Sequence, residues 1–105
     1  AQPTVEKPIE IKDLLIDRER HLVVWKGANI DLTVTECLLL ISLAKRPGAV
    51  KKRQQLMDAC YEGAVFVSDR TIDSHIRNIR SKFRVVDQSS DIIGTVQGLG
   101  YKLKI

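Results

Sequence analysis

The 105 residues, 11.8 kDa, suffice for one small domain and leave no room for a catalytic domain beside a regulatory one. A hydrophobic fraction of 44% with 29% charged residues excludes wholesale disorder, collagen-like repeats and disulfide scaffolds. The formal net charge of +4 points only weakly to a polyanionic partner. Its distribution says more: residues 1–36 carry five Lys/Arg against seven Asp/Glu, net −2, and residues 37–105 carry twelve against six, net +6. Such polarity fits nucleic-acid docking, and a merely soluble surface equally well.

The opening Ala1-Gln2-Pro3-Thr4-Val5-Glu6-Lys7-Pro8, with two prolines and alternating charge, reads as a linker remnant (1–8), so a preceding domain is expected. Residues 9–105 form the domain proper. From Ile9 to Asp31 short β segments alternate with turns: 9–11, 14–16, 21–25 and 28–30, with Lys26-Gly27 as a hairpin signal. A small antiparallel sheet is implied. Trp25, at a strand end, either packs under a helix or offers a stacking surface to a base.

Thr33-Val34-Thr35-Glu36 is a capping box, opening a helix to about Arg46 that ends at Pro47-Gly48. Val34, Cys37, Leu38, Leu40, Ile41 and Ala44 recur at three- and four-residue steps and are assigned to its core face. A second helix, about Arg53 to Cys60, follows the basic cluster Lys51-Lys52-Arg53, with Leu56, Met57 and Cys60 as its buried stripe. Neither cysteine has a CxxC partner or a His at ligand spacing, so no zinc site and no cofactor are expected, and a reduced, cytoplasmic protein fits. No segment approaches a membrane span or a signal peptide.

Residues 61–67 form a loop with apolar content, and Ser68 or Asp69 caps a third helix, about Asp69 to Phe83. Ile72, Ile76, Ile79 and Phe83 make one stripe; Arg70, Thr71, Ser74, Arg77, Asn78, Arg80 and Ser81 make a basic, donor-rich face opposite. After a polar loop, 85–91, two alternating β runs around Gln97-Gly98-Leu99-Gly100 make a C-terminal hairpin, about 92–104. No nucleophile–base or metal set accompanies these elements, which excludes catalysis on the residues present.

The order predicts an α+β fold: an N-terminal antiparallel sheet, three helices and a hairpin, the winged helix-turn-helix arrangement. A helix fits the major groove, where Arg, Asn, Ser and Thr reach base edges and phosphates. A protein-binding module that docks the basic helix on an acidic partner is the rival reading.

The string Asp69 to Phe83 (DRTIDSHIRNIRSKF), the closing Thr95-Val96-Gln97-Gly98-Leu99-Gly100-Tyr101, and the helix starts Leu32 to Glu36 and Arg53 to Leu56 resemble the DNA-binding effector domain of OmpR/PhoB-type response regulators. The resemblance covers residues 9–105. It implies a two-component transcription regulator's output domain, with phosphate contacts by Arg70, His75, Arg77, Arg80 and Thr95. It implies base reading by Thr71, Ser74 and Asn78, and by Gln97 of the wing in the minor groove. His75, beside Ile72 and Ile76, also reads as a partly buried structural histidine. Asp73 is expected to orient Arg70 and Arg77 through helix-spaced ion pairs.

The expected partners are double-stranded DNA bearing direct repeats, a receiver domain on the same chain, and RNA polymerase through Glu62, Phe66 and Val67. Dimers would form on DNA, and the isolated domain is expected to be a monomer. Asn78 and Gln97 stand where many members carry Arg. Each amide lowers the salt dependence of binding by about one phosphate equivalent if the Arg it replaces neutralised a phosphate, and shifts preference toward A·T-type contacts.

Overall fold

The computed structural model describes residues 8–60 and 69–105. Four strands, β1 (Ile9–Ile11), β2 (Leu14–Asp17), β3 (Leu22–Trp25) and β4 (Ala28–Ile30), form an antiparallel meander in the order β1-β2-β3-β4. Strict alternation buries Leu14, Ile16, Val23, Trp25 and Ile30 on one face. Register follows the turns. Lys26 and Gly27 both adopt positive φ (50° and 81°), the two-residue geometry whose twist matches the flanking strands, and pair Trp25 with Ala28. His21, expected in a strand, instead occupies the preceding turn at φ 53°, and β3 starts one residue later.

Helix α1 (Val34–Ala44) opens on the predicted capping box: the Glu36 amide donates to Thr33 Oγ1 (3.2 Å) and the Thr33 amide to Glu36 Oε1 (3.0 Å). It stops at Ala44, two residues before the expected end, and Lys45 caps it. Its buried face differs from the predicted one. Val34 (63%) and Leu38 (37%) are exposed, whereas Leu39, Leu43 and the carboxylate-bearing Glu36 are buried. The helix is apolar nearly all round, so periodicity cannot select a face; the elements packed against it do.

Next come β5 (Lys51–Lys52), α2 (Arg53–Cys60), α3 (Asp69–Val86), β6 (Ile93–Val96) and β7 (Gly100–Leu103). In α2 Leu56 is fully buried and Met57 partly so; the Cys60 side chain lies outside the described residues, as do residues 61–67 and the Ser68 cap. In α3 the predicted stripe Ile72, Ile76, Ile79 and Phe83 is completely buried. The helix runs three residues past Phe83, because nothing in Arg84-Val85-Val86 breaks it and the Asp87 amide still donates to Phe83 O (3.0 Å). The polar loop therefore starts at Asp87.

The hairpin β6–β7 acquires a third strand that the basic cluster concealed: β5 pairs with β7, giving the order β5-β7-β6. One continuous core draws on both sheets and all three helices. Trp25 meets Phe83 edge-to-face, centroids 5.7 Å apart at 62°, and is only 5% exposed, so it is a packing residue and offers no stacking surface. Cys37 is a buried free thiol, and burial pushes its pKa up.

Candidate nucleic-acid interface

An 18-residue helix is about 27 Å long. The α3 stripe sunk in the core fixes the helix's rotation, and the opposite face turns outward. Ser74, Arg77 and Asn78 are exposed there, and Thr71 is half-buried. Thr71, Ser74 and Asn78 follow steps of three and four, so their short polar side chains share one side with the long Arg77 beside them. His75 is half-buried and engaged within the domain. The Arg70 side chain and Glu62, Phe66 and Val67 lie outside the described residues.

Arg80, Thr95 and the wing form one unit. The Arg80 guanidinium donates from Nε and Nη2 to Ile93 O (3.3 and 3.0 Å) and from Nη2 to Thr95 Oγ1 (2.7 Å), and it lies 5.7 Å from the Tyr101 ring centroid. Those bonds occupy its Nε and Nη2 donors. The two Nη1 hydrogens and the Thr95 hydroxyl proton take no part in these bonds, a donor set suited to a phosphate oxygen. Gln97 sits exposed in the turn between β6 and β7, next to exposed Gly98 and Leu99.

Asp73 has partners beyond the expected Arg70 and Arg77, of which the Arg70 side chain lies outside the described residues. Its carboxylate Oδ1 accepts from Arg53 Nε (3.0 Å), at the start of α2, and from the hydroxyl of Tyr101 on β7. The Tyr101 hydroxyl, then the Arg53 guanidinium, hold the Asp73 carboxyl below its usual range despite some burial; Arg77 adds a weaker pull through space. Burial and the same carboxylate push the Tyr101 phenol up. Helix spacing favoured Arg70 and Arg77, but partners 20 and 28 residues away are invisible to spacing. One signal was available: a tyrosine among buried strand residues needs a partner for its hydroxyl.

A second long-range pair locks α3 to α1. Lys82 Nζ donates to Glu36 Oε1 at 2.6 Å, with the Glu36 side chain 3% exposed. Lys26 pairs with Asp87, which Lys26 and the Ser89 hydroxyl and amide hold down to about 2. Both ends of α3 are therefore tied to the scaffold, and no group of His, Cys, Asp and Glu able to hold a metal occurs among the described residues. None of the described helices is long and apolar enough to cross a membrane.

Residues 27–103 match the family described as "Transcriptional regulatory protein, C terminal". The transcriptional regulatory protein BaeR of Escherichia coli O6:H1 is 43% identical over 89 residues, 85% of this chain and 37% of BaeR. The chain spans less than half the length of the curated relatives it matches. Among solved structures, the DNA-binding domain of the response regulator AdeR in complex with an intercistronic region superposes with a TM-score of 0.78 at 29% identity, covering 91% of this chain and 97% of that one. The response regulator DrrB, an OmpR/PhoB homologue from Thermotoga maritima, gives 0.79 at 31% identity over 93% of this chain and 44% of its own. The chain belongs to the transcriptional regulatory protein family, as a C-terminal, winged-helix effector domain of the OmpR/PhoB type.

Proposed function

We propose that this domain binds double-stranded DNA sequence-specifically as the output half of a two-component transcription regulator, with α3 in the major groove and the β6–β7 wing at the minor groove. The observation that carries the reading is the outward face of α3: exposed Ser74, Arg77 and Asn78, with Thr71 beside them, on a helix held rigidly by four buried apolar side chains. Thr71, Ser74 and Asn78 read base edges, and Gln97 reads the minor groove. Arg70, His75, Arg77 and the Arg80–Thr95 unit meet phosphates. That AdeR's corresponding domain was solved on an intercistronic region supports the same use of the fold here.

Residues 1–8 then link the domain to a phosphorylatable receiver in a cytoplasmic protein. The isolated domain is a monomer that pairs on direct repeats about one helical turn apart, and the segment holding Glu62, Phe66 and Val67 meets RNA polymerase. Selection from a random duplex library tests the reading. The wild-type domain enriches a repeated motif, and Asn78→Ala changes the preferred bases at one position per half-site, losing about 1–3 kcal/mol of discrimination there. Unchanged preferences in Asn78→Ala would remove Asn78 from base reading, and no enrichment by the wild type would defeat the reading.

A further inference from the structure

Two side chains of α3, Asp73 and Arg80, stand seven residues apart and so share one side of the helix. Between them they reach two strands of the C-terminal sheet and the residue that follows the third. Arg80 binds β6 through Ile93 O and Thr95 Oγ1. Asp73 binds β7 through the Tyr101 hydroxyl, and through Arg53 it binds the residue that directly follows β5. Register places Lys51, Tyr101 and Thr95 side by side across the sheet, on one face, since directly paired residues project the same way. Tyr101 is the middle of that row, with the Arg80 guanidinium over its ring and the Asp73 carboxylate on its hydroxyl.

Buried Ile92, Ile93 and Leu103 hold the root of the wing, yet apolar packing is not directional. The angle between wing and helix is left to the directional bonds. We infer that Asp73 is a positioning residue: by gripping Tyr101 and Arg53 with one carboxylate oxygen it sets the wing's angle to α3, and so determines whether helix and wing reach adjacent grooves of one duplex together. This rests on the DNA-binding reading for its consequence, and on the domain's own geometry for its content. Asp73 touches no base or phosphate in this role. It acts through Tyr101.

Two arms test it. In the free domain, amide residual dipolar couplings are measured for residues 93–103 and 71–83 in the wild type, Tyr101→Phe, which deletes only the hydroxyl, and Asp73→Asn, which keeps the shape without the charge. The wing's couplings in both variants are expected to depart from the orientation fitted to α3, with α1 unchanged; an unmoved wing overturns the inference whether or not the domain binds DNA. In the second arm, binding to a duplex selected by the wild-type domain is compared for Gln97→Ala, Tyr101→Phe and the double variant. Each single change is expected to weaken binding about tenfold, the upper end of what one neutral hydrogen bond is worth. The double variant is expected to lose little more, because a misdirected wing has no Gln97 contact left to lose. Additive losses, about a hundredfold together, overturn the inference. A wild-type domain that selects no duplex defeats the DNA reading alone, and the dipolar couplings still decide the positioning role.

Discussion

Gly100→Ala is expected to cost the domain about 3 kcal/mol or more and to lower Tm by roughly 10–20 °C. Gly100 adopts φ 156° at the start of β7, and a Cβ there would stand 2.0 Å from Lys51 O, 2.9 Å from Lys51 C and 3.0 Å from Lys52 Cα. All three atoms are backbone, so no rotamer change relieves the contact, and β5 must leave β7. The expelled strand leads directly into Arg53, so the Asp73 bond is strained as well. Gly98→Ala is the control. Gly98 has φ 80° with nothing within 4 Å of its Cβ position, so only backbone strain of about 1 kcal/mol is at stake. Thermal melts of the two variants decide the matter: equal losses would mean that the β5–β7 contact is not the constraint.

Lys82→Ala has the second-largest expected effect, about 2 kcal/mol, below the range for a fully buried pair because the Lys82 side chain is 36% exposed. The truncation leaves Glu36 buried with Thr33 alone among the described residues to satisfy its carboxylate. Adding Glu36→Gln to the variant removes that orphaned charge, and a partial recovery in Tm is expected. The pH dependence carries a definite sign. Burial pushes the Glu36 carboxyl up, but the Lys82 ammonium and the Thr33 amide together outweigh it and hold it below its usual range. A depressed native pKa contributes stability that is present above the unfolded value of about 4.3 and is lost as pH falls through the native value. Without Lys82, burial dominates and the sign reverses. The stability gap between wild type and Lys82→Ala should therefore narrow as pH falls, through relief of the variant above about pH 4.3 and through loss of the wild type's stabilisation below it. A gap independent of pH between 7 and 3 would show that Glu36 is not the group left stranded.

The elements that the sequence revealed best are those in which local signals agree. In α3 an isoleucine stripe and a polar face alternate cleanly, so the buried and outward sides were both legible, as were the Lys26-Gly27 hairpin and the Thr33–Glu36 capping box. Element order was enough to give the winged-helix fold. In α1, where Leu38-Leu39-Leu40 offers apolar groups in three directions, the face was set by tertiary packing, and the assignment of Val34 and Leu38 to the core failed. Strand β5 is two lysines long, shorter than any alternation a sequence can display. The bonds that tie the interface together, Asp73 to Arg53 and Tyr101, Arg80 to Ile93 and Thr95, and Lys82 to Glu36, join residues 13 to 46 positions apart. Helix spacing offered Asp73 near partners, and the fold added distant ones.

Binding of a fluorescent duplex, titrated against salt from about 50 to 200 mM for the wild type and Arg77→Ala, tests the outward face of α3 most directly. The wild type is expected to bind, with log K falling linearly in log salt. Arg77→Ala should bind more weakly at every salt concentration, with a slope shallower by about 0.9, one phosphate's worth of released counterion. No binding by the wild type at about 50 mM salt, or an Arg77→Ala slope identical to its own, would contradict the account.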